Sequence, residues 1–132
     1  MRWEKTDERE RTYSRWHRQY DGEYRFIDID HVEYCPYCLE PLGLFETAID
    51  VGQDYKCADV TTKIAKKIRV PSYIVLYKPI GYDEIESFRV KQTNPVKNNE
   101  YLTYNSNQFL RLLKLLHETH NIFCKGAEKN DL

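Results

Sequence analysis

No run of apolar residues in this chain approaches the roughly 20 that a helix needs to cross a bilayer. The opening MRWEKTDERE is too charged for a secretory leader. Lacking both, the chain is expected in the cytoplasm, where thiols stay reduced and disulfides are not the default. Charge of either sign is not in excess: 20 Lys and Arg stand against 21 Asp and Glu, for a formal net charge of −1. That excludes a globally basic surface while leaving enough cations for a local one. There is no internal repeat, low-complexity tract or linker. With 132 residues, a single domain is expected over 1–132, with its core at about 6–119 and a polar tail at 125–132.

What is present suits a folded protein. Apolar residues make up 41% and aromatic ones 14%, and the 11 tyrosines outnumber the phenylalanines twofold, as befits half-buried positions at a core edge. Residues 6–20 read as a first helix, with Thr6 as cap, Asp7 and Glu8 in the first turn and Arg15 and Arg18 in the last. Tyr13, Trp16 and Tyr20 form its aromatic stripe, and its arginines are expected to lie on a solvated face. Two strands follow around a cysteine turn: YRFIDIDHVEY, CPYCLEP, LGLFETAID. The spacing predicts a second helix over 58–69, capped at Asp59, and a buried strand over 72–78. A strand of that apolar continuity after a crossover helix is expected to run parallel to the Glu46 strand. SFRVKQT (87–93) alternates as an edge strand with one wet face. Residues 94–104 read as a loop. The leucine-rich stretch 106–119 reads as a last helix, capped by Asn105 or Ser106, packing on the sheet in preference to a dimer partner. The expected fold is therefore a small mixed sheet flanked by helices, α/β (or α+β) in class, in the order α-β-β-α-β-β-α.

Carboxylates interrupt the first two strands. At a two-residue period Phe26, Asp28, Asp30 and Val32 share one face, and Leu42, Leu44, Glu46 and Ala48 share another. A half-buried carboxylate without a partner costs several kcal/mol, so a metal or a basic group is expected between the strands. Two acids as close as Asp28 and Asp30 strengthen that demand through like-charge repulsion. Salt-bridge partners alone would also satisfy it.

Cys35-Pro36-Tyr37-Cys38, followed by Pro41, resembles the C-P-x-C turn of zinc ribbons, in which both sulfurs point at one spot and Zn²⁺ takes four N or S ligands. Half a site is thus present. Cys57, Cys124, His31, His117 and His120 are the candidates for completing it, with Cys57 first because the crossover loop returns nearby. Two reduced thiols in a turn are the plain alternative. His117 and His120, three residues apart at the end of the last helix, read as partners of its negative dipole end before ligands.

The element order, with an aspartate in one early strand and a glutamate in the next, resembles the restriction-endonuclease-like fold of the PD-(D/E)xK nucleases, over about residues 6–78. The resemblance implies Asp30 (or Asp28) and Glu46 as ligands of Mg²⁺ or Mn²⁺ at a scissile phosphate. It further implies a nucleic-acid substrate, most readily DNA, and a homodimer. The lysine of the E-x-K motif is replaced here by Ala48. Lys56, just after the Glu46 strand, and Lys63, on the next helix, are the candidates to supply it. A second D-x-K copy, Asp54 to Lys56, ranks below Glu46 because it sits in a polar loop. The runner-up is a non-catalytic module binding nucleic acid or protein on the same fold. A third possibility is a zinc-stabilised structural module whose acids pair with arginines. The small size would fit a phage or mobile-element accessory protein, acting in the host cytoplasm.

Overall fold

The computed structural model describes residues 11–20, 22–122 and 124. Its elements are α1 (Thr12–Arg18), β1 (His31–Tyr34), β2 (Pro41–Ile49), α2 (Asp59–Ile68), β3 (Ser72–Pro79), β4 (Ile85–Asn94), β5 (Leu102–Tyr104) and α3 (Ser106–Asn121). The five strands form one mixed sheet in sequence order. β1 is antiparallel to β2, β2 parallel to β3, and β3–β4 and β4–β5 antiparallel. The α2 crossover thus makes the parallel pair as expected. Among the described residues no helix is long and apolar enough to cross a membrane.

β3 is buried on both faces, and its alternation sorts the core into two layers. Tyr73 and Val75 join Phe45, Phe88 and Val90 under Phe109, Leu112, Leu113 and Leu116 of α3. Ile74 and Leu76 join Ala58 and Ala48 on the α2 side. The α3 layer carries most of the aromatic packing: Phe45 stacks on Tyr73 at 5.0 Å, and Phe88 on Phe109 at 4.4 Å. Each such side chain contributes about 1.5–3 kcal/mol through burial. Gly43 lets α3 come close to β2, since a Cβ there would sit 3.1 Å from the Leu116 Cδ1. α3 starts with a capping box, in which Asn105 accepts from the Gln108 N–H and the Gln108 side chain accepts from the Asn105 N–H, both at 2.9 Å.

Four sequence expectations are corrected. The first strand does not run from Tyr24: β1 begins at His31, and residues 24–30 lie outside the sheet. The common strand face expected for Asp28 and Asp30 therefore does not exist. The Asp30 carboxylate instead accepts the Thr47 N–H at 2.9 Å, taking the place of the carbonyl that a longer β1 would offer. Second, 94–104 contains β5, so β4 is internal to the sheet and its "wet" face of Arg89 and Lys91 lies on the α2 side. Turn residues on both flanks of Leu102–Tyr104 hid so short a strand. Third, α2 is preceded by Ala58 with no side-chain cap, Asp59 being its first helical residue. Fourth, the aromatic stripe of α1 is not core. Tyr13, Trp16 and Tyr20 are 69, 53 and 48% exposed and contact mainly one another and His17, which packs edge-on against Phe26 at 4.5 Å. Thr6, Asp7, Glu8 and the 125–132 tail lie outside the described residues.

Candidate metal centres

Two clusters of metal-ligating or titratable side chains form, one at each end of β1. The first gathers Asp30, Glu46 and Lys56 from three separate segments. Glu46 lies mid-β2, in register with Ile74 and on the α2 side of the sheet; only 4% of it is exposed. Its Oε2 accepts the Thr61 hydroxyl at 2.7 Å, which leaves Oε1 turned toward Lys56. The Lys56 Nζ stands 3.6 Å from Asp30 Oδ2 and 3.9 Å from Glu46 Oε1. Burial pushes the Glu46 carboxyl above its usual range; Asp30's charge adds to that, and Thr61 and Lys56 offset it in part. Above pH 4.5 an ionised Glu46 therefore works against folding of the bare chain. A cation between the two acids would relieve this cost.

A second network holds the loop that delivers Lys56. Arg89 of β4 forks onto Asp50, Nε to Oδ2 and Nη2 to Oδ1, both at 2.9 Å, and Nη2 also reaches the Gln53 carbonyl at 2.6 Å. Gln53 in turn donates to the Ile49 carbonyl and accepts from the Val51 N–H. This guanidinium holds the Asp50 carboxyl down at about 2. Lys56 follows three residues after this knot, which fixes its approach to the acids. Neither Arg89 nor Asp50 had been singled out in the sequence. Their pairing spans 39 residues, beyond the reach of local pattern.

Of the remaining residues expected at this site, Asp28 is exposed and lines a small recess shared with Glu46, Cys57 and Thr61. Lys63 is exposed on α2 and makes no ion pair with either acid. Thr61, which fixes the Glu46 carboxylate, gave no sequence signal beyond its place in the first turn of a helix.

The second cluster is Cys35, Cys38, His120 and Cys124, whose ligand atoms all lie within 4.8 Å of one another. Cys35 Sγ and Cys124 Sγ are 3.6 Å apart, and Cys38 Sγ is 3.2 Å from His120 Nε2. The turn is closed by the Leu39 N–H donating to the Cys35 carbonyl at 2.8 Å, with Leu39 left-handed at φ 66°. Burial raises the Cys35 thiol, but the Cys38 and Tyr37 amides and the neighbouring thiols outweigh it and bring it to about 6. The Glu40 amide lowers Cys38, yet burial and the other two thiols leave it raised. The donor set fits a metal: a tetrahedral ion with bonds of ~2.3 Å to sulfur spaces its sulfurs about 3.8 Å apart. A Cys₃His group of this kind could hold an ion such as zinc.

Cys57, expected first among the completing ligands, is exposed and outside this cluster. His31 is also outside it, and His117 pairs with Glu33 of β1 at 2.6 Å. His120, a completing candidate whose spacing from His117 favours a helix-end role, lies instead in the cluster. The informative pair is His120 with Cys124, four residues apart as C-terminal zinc ligands often are. Comparison of the chain with protein-family models, with curated proteins and with solved structures finds no match.

Proposed function

We propose that the chain is a metal-dependent nuclease of PD-(D/E)xK type, hydrolysing phosphodiester bonds in nucleic acid, with DNA the expected substrate. The observation that carries this is the convergence of Asp30, Glu46 and Lys56, two carboxylates and one ammonium within 4 Å, from segments that are separate in sequence. Two carboxylates suffice for Mg²⁺ or Mn²⁺, which keeps several waters and completes its shell with substrate phosphate. The bound cation would supply charge neutralisation at the phosphate. Asp30 and Glu46 would hold it, with Thr61 fixing the Glu46 rotamer. Lys56 would take the role of the missing E-x-K lysine, orienting water for attack on phosphorus and stabilising the charge that builds on the phosphoryl oxygens. The α2 crossover and the parallel β2–β3 pair support a restriction-endonuclease-like reading of the sheet.

In the same proposal the Cys₃His cluster holds a structural Zn²⁺. Four protein donors leave no open position, which marks a bracing site and not a catalytic one. It ties the β1–β2 turn to the end of α3, and so steadies the strand whose first residue follows Asp30.

The test is cleavage of duplex, single-stranded and branched DNA and of RNA with Mn²⁺ or Mg²⁺. Glu46→Ala is expected to abolish cleavage, and Lys56→Ala to slow it by roughly 10²–10³. A folded, zinc-loaded wild type that cuts none of these substrates would overturn the nuclease proposal. The Lys56 ion pairs would then stand as structural neutralisation of the acids in a binding module.

A further inference from the structure

On the α2 side of the sheet, directly beside Lys56, lies a cleft of about 500 Å³. Lys63 and Lys66 of α2 line it. Lys91 of β4, Tyr101, the exposed Tyr55 and the buried Ile74 also line it. Four lysines including Lys56 line it, against Asp54 and Asp59, in a chain whose formal net charge is −1. Cations are therefore concentrated here well beyond the average of the surface. Lys56 is engaged by the acids; Lys63, Lys66 and Lys91 make no ion pair among the described residues. The Tyr101 ring carries Arg89 at 5.1 Å and Lys91 at 5.6 Å, and its hydroxyl is buried without a protein partner among the described residues. A buried hydroxyl in that condition calls for a water or a ligand acceptor. Tyr55, 67% exposed, offers an open aromatic face.

We propose that this cleft binds an unpaired stretch of DNA, with phosphates at Lys63, Lys66 and Lys91 and a base stacked on Tyr55. Size decides between single strand and duplex. At about 500 Å³ the cleft has the size of a small-ligand pocket. A duplex can rest on the rim but cannot enter; a single nucleotide with its phosphate can. Cationic side chains tracking the backbone and an aromatic face for the base are the two features that single-strand sites combine. The inference rests on the nuclease proposal only in setting the reacting phosphate at Lys56, which also lines the cleft.

The test is fluorescence anisotropy of a labelled 12-mer oligo(dT) and of a blunt 12-bp duplex, without added divalent cation, at several salt concentrations. Three phosphate contacts on a single strand give a slope of log K against log[salt] of about −2, so binding weakens about 20-fold between 50 and 200 mM salt. Lys66→Ala, exposed on α2, and Lys91→Ala, half-buried over the Tyr101 ring, should each reduce the slope by about 0.7. Tyr55→Ala should weaken binding roughly 5- to 150-fold with the slope unchanged. Duplex binding equal to or tighter than oligo(dT), a slope unmoved by both lysine variants, or no oligo(dT) binding would each overturn the proposal. Glu46→Ala separates it from the nuclease proposal, since that variant loses a negative charge beside Lys56 and is expected to bind oligo(dT) at least as tightly as wild type while cutting nothing. Binding without cleavage by the wild type would sink the nuclease alone, and duplex cleavage indifferent to Lys66 and Lys91 would sink the single-strand cleft alone.

Discussion

A zinc ion held by the Cys₃His cluster, as proposed, should supply a large share of this small domain's stability. The cluster joins Cys35 to Cys124 across 89 residues, so a bound ion cross-links the chain much as a disulfide would. Chain-entropy arithmetic for a loop of that length gives about 4–5 kcal/mol at 25 °C. Net stabilities of domains are only about 5–15 kcal/mol, so the loss approaches the whole margin. With a melting response of about 3–4 °C per kcal/mol at this chain length, the zinc-free protein should melt about 12–20 °C lower. The measurement is a thermal melt of protein stripped by a zinc chelator and of the same protein re-loaded with Zn²⁺, beside elemental analysis of the purified chain. Cys124→Ser should melt like stripped wild type and respond little to zinc. Cys57→Ser, whose thiol is exposed and outside the cluster, should keep one zinc per chain and the full melting temperature. Equal melting of stripped and loaded wild type, or zinc retained in full by Cys124→Ser, would refute the reasoning.

Two further outcomes follow from packing and charge. Gly43→Ala brings a methyl 3.1 Å from Leu116 Cδ1. Leu116 packs against both the aromatic layer and the cysteine cluster and has little room to yield, so a loss of about 1 kcal/mol, read as a melting temperature some 3–4 °C lower, is expected. Asp50 is held at about 2, below its unfolded 3.8, so it stabilises the fold above pH 3.8 and that contribution disappears as the pH falls from 3.8 toward 2. Urea titrations of wild type and Asp50→Asn should therefore differ most above pH 3.8 and converge toward pH 2; a gap that widens on acidification would contradict the Arg89 pairing.

Where periodicity was long, the sequence spoke clearly. The leucine repeat of α3 with its Asn105 cap, the double-sided burial of β3 and the crossover over α2 all follow from spacing, because burial on a known period leaves few alternatives. It misled where a local pattern lacked a neighbour. Residues 24–30 alternate like a strand, yet β2 continues to Ile49 without them, because Asp30 takes the Thr47 N–H with its side chain and so ends the ladder. β5, at three residues, was too short to carry a period. Of the acid cluster, Glu46 and Asp30 stood out as charges in apolar company, and Lys56 as the nearest cation downstream. The strand geometry first invoked for Asp30 was wrong even though the residue reaches Lys56. The cysteine turn announced itself by its spacing, whereas its partners lie 82 and 89 residues away. Proximity along the chain favoured Cys57, and only the packing of α3 against β2 brings His120 and Cys124 to the turn.

That separation sets an order of events during synthesis. Cys35 and Cys38 leave the ribosome early and can offer an ion only two sulfurs, while His120 and Cys124 emerge after every strand of the sheet has been made. A nascent chain halted before Cys124 would carry a half-formed, exchangeable site, and firm capture of an ion would record that α3 has docked. On the zinc proposal the cluster would thus be a latch closed last, and metal content in a pool of newly made chains would report how many have finished folding.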